Sequence, residues 1–261
     1  MPAPAPQTIA SEVNEEIVAL GYVPVRERQE FMFLRKKQEI EKKIADLKKV
    51  DPGEAFAMEM KLSAVLLDKE GTLQGYKSAK HHFTDREELA TLEKNFVTSL
   101  NHQGFHQEAV EHLLQHCGMS VYTLLAVVDC YTSEGKYQQA LHFLEEYQGE
   151  HPPELEARIQ SFRKITACMD EKGVTDKDLQ QHYEVYSKFI VEEGLFFNPE
   201  SIEVSHDEYD CWISHYMYIS ADLDKVMDIN DRWIDALIDA DIALKASQAI
   251  TTLFVCGGQD D

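Results

Sequence analysis

Two stretches of the chain, Phe96–Gly118 and Val127–Gly149, repeat one pattern at a spacing of 31 residues. In each, an apolar helical period runs into a glycine, Gly104 or Gly135, and a second period starts within a few residues. Glycine enters left-handed backbone without steric cost, so each glycine marks a corner between two helices. An alanine follows five residues later in both, Ala109 and Ala140. A small side chain there lets two helices approach closely. Val110, Leu113 and Leu114, or Leu141, Phe143 and Leu144, supply the packing surface. Self-similarity of this length points to stacked antiparallel hairpins, because one hairpin alone cannot bury its apolar face.

The second stretch resembles a tetratricopeptide repeat. Tyr131, Gly135, Tyr137, Ala140, Leu144 and Pro152 occupy the positions where that family places Tyr, Gly, Tyr, Ala, a large apolar residue and a terminal Pro. Leu124 and Val128 stand where the family has its early Trp and Gly, and the 31-residue offset is shorter than the usual period of about 34. The resemblance covers roughly residues 85–158. It implies helical hairpins in an α-solenoid whose concave face holds a peptide or a partner protein. Tyr122, Tyr131 and Tyr137, near the predicted groove, are the candidate partner-binding residues, since aromatic side chains anchor interfaces.

Three regions follow along the chain. Residues 1–25 read as a flexible, proline-punctuated lead-in with a short helix from Ser11 to Leu20. Residues 26–195 read as helical hairpins. A long helix over Arg26–Lys49 carries the stripe Phe33, Ile40, Ile44 and Leu47, and Asp51-Pro-Gly53 stops it. A partner helix over Glu54–Asp68 places Phe56, Met60 and Leu67 on one side. Lys69-Glu-Gly71 reads as a break, and Thr84 with Glu87 as a capping box for the next helix. Residues 196–261 read as a small α+β module, strand–strand–helix–strand. Ser201–Ser205 and Cys211–Ile219 alternate apolar and polar residues, Leu223, Val226, Ile229, Trp233 and Leu237 form a helical stripe, and Ala249–Val255 is a last strand. A helix over Tyr209–Ser220 is the competing reading. The fold class is thus mainly α, antiparallel hairpins in a TPR-like α-solenoid followed by an α+β module.

Charge narrows function. The net charge is −22. Residues 25–50 are locally basic, with nine lysines and arginines against five acids. Such an acidic body repels phosphate backbones, which argues against direct nucleic-acid binding. It suits basic proteins, or imitation of a nucleic acid. No apolar run approaches the roughly 20 residues of a membrane span. Five cysteines are scattered and never spaced as CxxC, as expected of reduced thiols in a cytoplasmic protein.

Candidate chemistry is sparse. His112 and His116 lie four apart on one predicted helix and could present two imidazoles to zinc, although surface histidines explain them more economically. His206, Asp207, Glu208 and Asp210 crowd one turn, and Asp222, Asp224, Asp228, Asp231, Asp235 and Asp239 line the following helix without EF-hand spacing. No GxSxG, GxxxxGK[ST] or GxGxxG motif occurs, so no cofactor and no catalytic residue are expected. The leading expectation is a non-catalytic adaptor, chaperone or regulator with a protein partner. The alternatives are an acidic decoy for a nucleic-acid-binding protein and a metal-dependent enzyme. Partner identity and oligomeric state stay open at this point.

Overall fold

A computed structural model describes residues 6–195, 198, 200–207, 210–241 and 244–257. The chain is mainly helical, with a three-stranded sheet towards its C-terminal end. It divides into two compact units, Met1–His112 with Ile190–Phe197, and Leu113–Phe189 with Asn198–Asp261. No helix among the described residues is long and apolar enough to cross a membrane.

The first unit packs around one largely buried helix, Pro52–Val65. Helix α1 (Pro6–Gly21) precedes a single 3-10 turn at Val25–Glu27, then α2 (Phe31–Leu47), α3 (Pro52–Val65), α4 (Lys69–Lys80) and α5 (Arg86–His102). Val13, Ile17 and Leu20 of α1 pack with the expected α2 stripe, Phe33, Ile40, Ile44 and Leu47, and with Ala55, Met58, Leu62 and Val65 of α3. α1 starts earlier than its sequence suggests, at Pro6, because proline fits a first helical turn whose N–H has no partner in any case. The extended lead-in falls on Met1–Ala5, outside the described residues. α2 ends at Leu47, before Asp51-Pro-Gly53 as expected, and Pro52 and Gly53 themselves form the first turn of α3: Asp51 accepts from the Glu54 backbone N–H at 3.1 Å. Asp68 and Asp85 cap α4 and α5 in the same way, so Lys69–Gly71 is a first turn and Asp85, not Thr84, is the cap. Leu67 has a left-handed φ of 61° and is exposed, because the chain turns there between α3 and α4.

Contact between α3 and α4 is closest at Gly75, where a Cβ would fall 2.7 Å from the Met60 backbone nitrogen and 2.8 Å from its Cα. The absent side chain lets the two backbones touch while Met60 stays wholly buried.

Helix α6 (His106–His116) spans the division between the units. In the second unit, α7 (Val121–Ser133) and α8 (Tyr137–Glu145) form a hairpin cornered by Gly135, and α8 packs on α9 (Pro153–Lys172). Gly135 has a φ of +71°, and a Cβ would meet Tyr183 at 2.7 Å. Ala140 and Leu144 are fully buried, as the repeat pattern requires. Helix α10 (Asp176–Glu192) begins where Thr175 Oγ1 and its backbone N–H both donate to Asp178 Oδ2.

The α+β module has the expected order. β1 (Glu200–His206) runs antiparallel to β2 (Cys211–Ile219), and β2 runs parallel to β3 (Ile250–Cys256) after α11 (Leu223–Asp239) and a short α12 (Leu244–Ala249). The helical alternative for Tyr209–Ser220 is displaced by a strand. Ile213, His215, Met217 and Ile219 of β2 face one way, with Ile250, Thr252 and Phe254 of β3 opposite Ile213, His215 and Met217 in register.

Gly75→Ala tests the central contact. Helix propensity alone favours the alanine by about 1 kcal/mol, but overpacking against backbone costs roughly 1–3 kcal/mol. A urea titration should therefore show a net loss of stability. A variant at least as stable as the parent would contradict the packing.

Candidate functional site

The three tyrosines chosen for a partner groove have different fates. Tyr137 is fully buried, and its hydroxyl hydrogen-bonds that of Tyr183, so it supplies packing and no contact surface. Tyr131 is half-buried and meets Phe143 edge-on. Tyr122 is exposed on the first turn of α7.

His112 points into the first unit. Its Nε2 donates to Glu93 Oε2, and its ring stands edge-on to Tyr76 and Phe96. Tyr76 donates to Glu93 Oε1 at 2.7 Å, and Lys80 Nζ reaches the same oxygen at 2.8 Å. Burial pushes the Glu93 carboxyl up, but the hydrogen bonds from His112, Lys80 and Tyr76 outweigh it and hold it at about 2. His116 is exposed. In the acidic turn, Asp207 Oδ1 accepts from the Asp210 backbone N–H at 2.7 Å, and Asp210 pairs with Lys172; Glu208 lies outside the described residues. Among the described residues, no group of three or more His, Cys, Asp or Glu side chains is arranged to hold a metal ion.

The core of the second unit is aromatic and polar. Tyr186 donates to Glu200 Oε1 at 2.6 Å, His215 Nε2 lies 3.2 Å from Glu200 Oε2, and His182 Nε2 lies 3.0 Å from Thr252 Oγ1. Burial takes His182 down to about 4 and pushes Tyr183 and Tyr186 well above their ordinary value. Trp233 of α11 seals this cluster, edge-on to His182 and Tyr186 and against Phe189 and Phe254. The Asn230 side chain adds a two-sided clasp. Its Nδ2 donates to the Phe254 carbonyl at 2.8 Å, and its Oδ1 accepts from the Phe254 N–H at 3.0 Å. Such a clasp occupies the edge of β3 as a further strand would.

Those anchors fix how α11 is turned. Val226, Ile229 and Trp233 face inward. Leu223, Met227, Ile234 and Ile238 are each more than half exposed, and at about 3.6 residues per turn they fall on one line. Leu223, expected in the buried stripe, belongs to this outer line. Next to it, on the solvent side, lie Asp224, Asp228, Asp231, Asp235 and Asp239, all exposed. Exposed apolar residues scattered singly are ordinary, whereas an aligned apolar ridge rimmed by charge marks an interaction surface. This ridge is the candidate site. The sequence signal was present in the alternating Leu/Met/Ile and Asp positions, but it could not tell the inward from the outward apolar line.

Comparison with protein families, curated proteins and solved structures finds no match to this chain.

The Glu93 network carries a pH dependence. A carboxyl depressed in the fold contributes stability that is full above its ordinary value of 4.5 and is lost as pH falls towards about 2. The stability gap between the parent and Glu93→Gln, measured by urea unfolding, should shrink steadily over that window. A gap that stays constant would show that Glu93 is not held by these partners.

Proposed function

We propose that this protein is a non-catalytic, cytoplasmic adaptor, chaperone or regulator that docks a partner protein on the outward ridge of α11. The partner segment is a basic amphipathic helix. The observation that carries the reading is the alignment of Leu223, Met227, Ile234 and Ile238 in solvent beside five aspartates. Covering a large aliphatic side chain is favourable by about 1.5–3 kcal/mol, so four of them supply a driving force that solvent exposure leaves unused. An amphipathic helix covers such a ridge with its own apolar face, using anchors one and two turns apart. Lysines and arginines along the border of that face would then meet Asp224, Asp228, Asp231, Asp235 and Asp239. Exposed pairs of this kind add modestly to affinity but set orientation and speed encounter. The hairpin of α7 and α8, with Tyr122 exposed at its start, offers a further surface of the type that helical repeats use for proteins.

A second reading, the acidic decoy, is favoured by the net charge of −22 and by the single-sided row of aspartates. The two differ in what the apolar ridge does. A fluorescent model peptide with leucines on one helical face and lysines on the other should bind, and a scrambled peptide of the same composition should bind at least about tenfold more weakly. Ile234→Ser and Ile238→Ser should each weaken the ordered peptide by about tenfold, as loss of a buried aliphatic group of this size implies. Equal binding of both peptides, lost together as salt rises, would replace the docking reading with the decoy. Binding of neither would refute both.

A further inference from the structure

The first unit contains a cavity of about 160 Å³ between α1, α3 and α5. Its wall is mostly apolar, with Ile17, Val18, Ala64 and Val65 on two sides. Its polar groups are cationic or neutral. Lys61 reaches in from α3, half-buried, and its Nζ donates to Asn14 Oδ1 at 2.7 Å. That amide carries no charge, and Glu54 acts on Lys61 only through space. His102 lines the cavity at 3 % exposure, and burial together with the nearby Arg28 charge takes it down to about 4, so it is neutral at physiological pH. Arg28 sits behind the wall at 7 % exposure. Its Nη1 donates to the Val65 carbonyl at 2.5 Å and its Nε to the Val23 carbonyl at 3.1 Å, while Nη2 has no acceptor among the described residues.

Lys61 thus lines the cavity and Arg28 lies behind its Val65 wall, and among the described residues both are hydrogen-bonded only to neutral acceptors, in a protein of net charge −22. A charge withdrawn from water is costly unless it is paired. The neutral acceptors leave that pairing to a ligand, and the apolar wall sets what the remainder of the ligand must be.

We propose that this cavity binds a small amphiphilic carboxylate, its head on Lys61 Nζ and its hydrocarbon body against Ile17, Val18, Ala64 and Val65. A cavity near 150 Å³ accommodates a benzene-sized apolar molecule, which limits the ligand to roughly six to nine non-hydrogen atoms. The wall gives shape and hydrophobic drive, and the ammonium gives the preference for an anion through a charge-assisted hydrogen bond.

Hexanoate, hexan-1-ol and hexylammonium form a probe series of equal chain length and different head charge. Titrated calorimetrically into the full chain, hexanoate should bind at least about tenfold more tightly than the alcohol, and hexylammonium should not bind measurably. Lys61→Met keeps the side-chain bulk and removes the charge; it should erase the preference for hexanoate over hexanol while leaving hexanol binding in place. In the unsubstituted protein, hexanoate should also shift the Lys61 side-chain carbon resonance in a saturable way, a readout that does not depend on the variant folding. Equal affinity for acid and alcohol, a preference that survives Lys61→Met, or an unmoved Lys61 resonance at saturating hexanoate would each overturn the proposal.

Discussion

Burial of Trp233 decides how the second unit presents itself. The indole is almost wholly enclosed and touches His182, Tyr186, Phe189 and Phe254. An aromatic side chain of this size buries about 150–250 Å², more than any aliphatic residue on α11 can offer. Turning the helix to hide Ile234 and Ile238 would expel the indole and unfasten Asn230 from Phe254. The outward ridge is therefore the consequence of a better inward packing, and the helix cannot satisfy both apolar lines by itself. The exposed aspartates beside the ridge place charge along its border, as the polar rim of an interface does.

The first unit solves a different problem with the same means. Its central helix α3 is small on several faces, with Gly53, Ala55, Ala57 and Ala64 buried, so neighbours approach from several directions. Gly75 brings α4 against the backbone of Met60. α1 and α5 both pack on α3 but leave a cavity between them, lined by Ile17 and His102, where Lys61 enters and Arg28 lies behind the Val65 wall. The ion network of Glu93, Lys80, Tyr76 and His112 is closed by contrast, since every charge in it has an opposite partner. The cavity is where this unit leaves charge unpaired, and the ridge is where the other unit leaves apolar surface uncovered.

Much of this was legible in the residues. The alternation in Ser201–Ser205 and Cys211–Ile219 located β1 and β2, because a strand with one buried face has a side-chain period of two. Gly135 and Ala140 located the corner and the close approach of the hairpin, because each position tolerates only a small residue. Capping was misplaced where two capping residues stand together: Thr84 and Asp85 are both competent, and only the geometry of the incoming chain selects Asp85. The one-sided pattern expected of α3 does not hold, since Glu54 and Lys61 lie on one side of the helix and Glu59 and Ser63 on the opposite side, leaving no single polar face to orient it. The buried roles of Tyr137 and His112 depend on residues 46 and 19 positions away, Tyr183 and Glu93, which no local pattern connects. The cavity draws on positions 14–18, 61–65 and 95–102, and such a dispersed site has no motif. For α11, periodicity found the apolar positions and left their orientation to the size of Trp233.

The outward line of α11 is the surface on which we propose that a partner binds. Isoleucine methyl NMR reads this directly, because Ile234 and Ile238 lie on the ridge while Ile229, on the same helix, is buried beneath it. Titration with the basic amphipathic peptide should move the Ile234 and Ile238 methyl signals along one saturable curve and leave Ile229 nearly still. Saturable shifts confined to other isoleucines, such as Ile17 or Ile159, with Ile234 and Ile238 unmoved, would place the partner elsewhere and contradict the account.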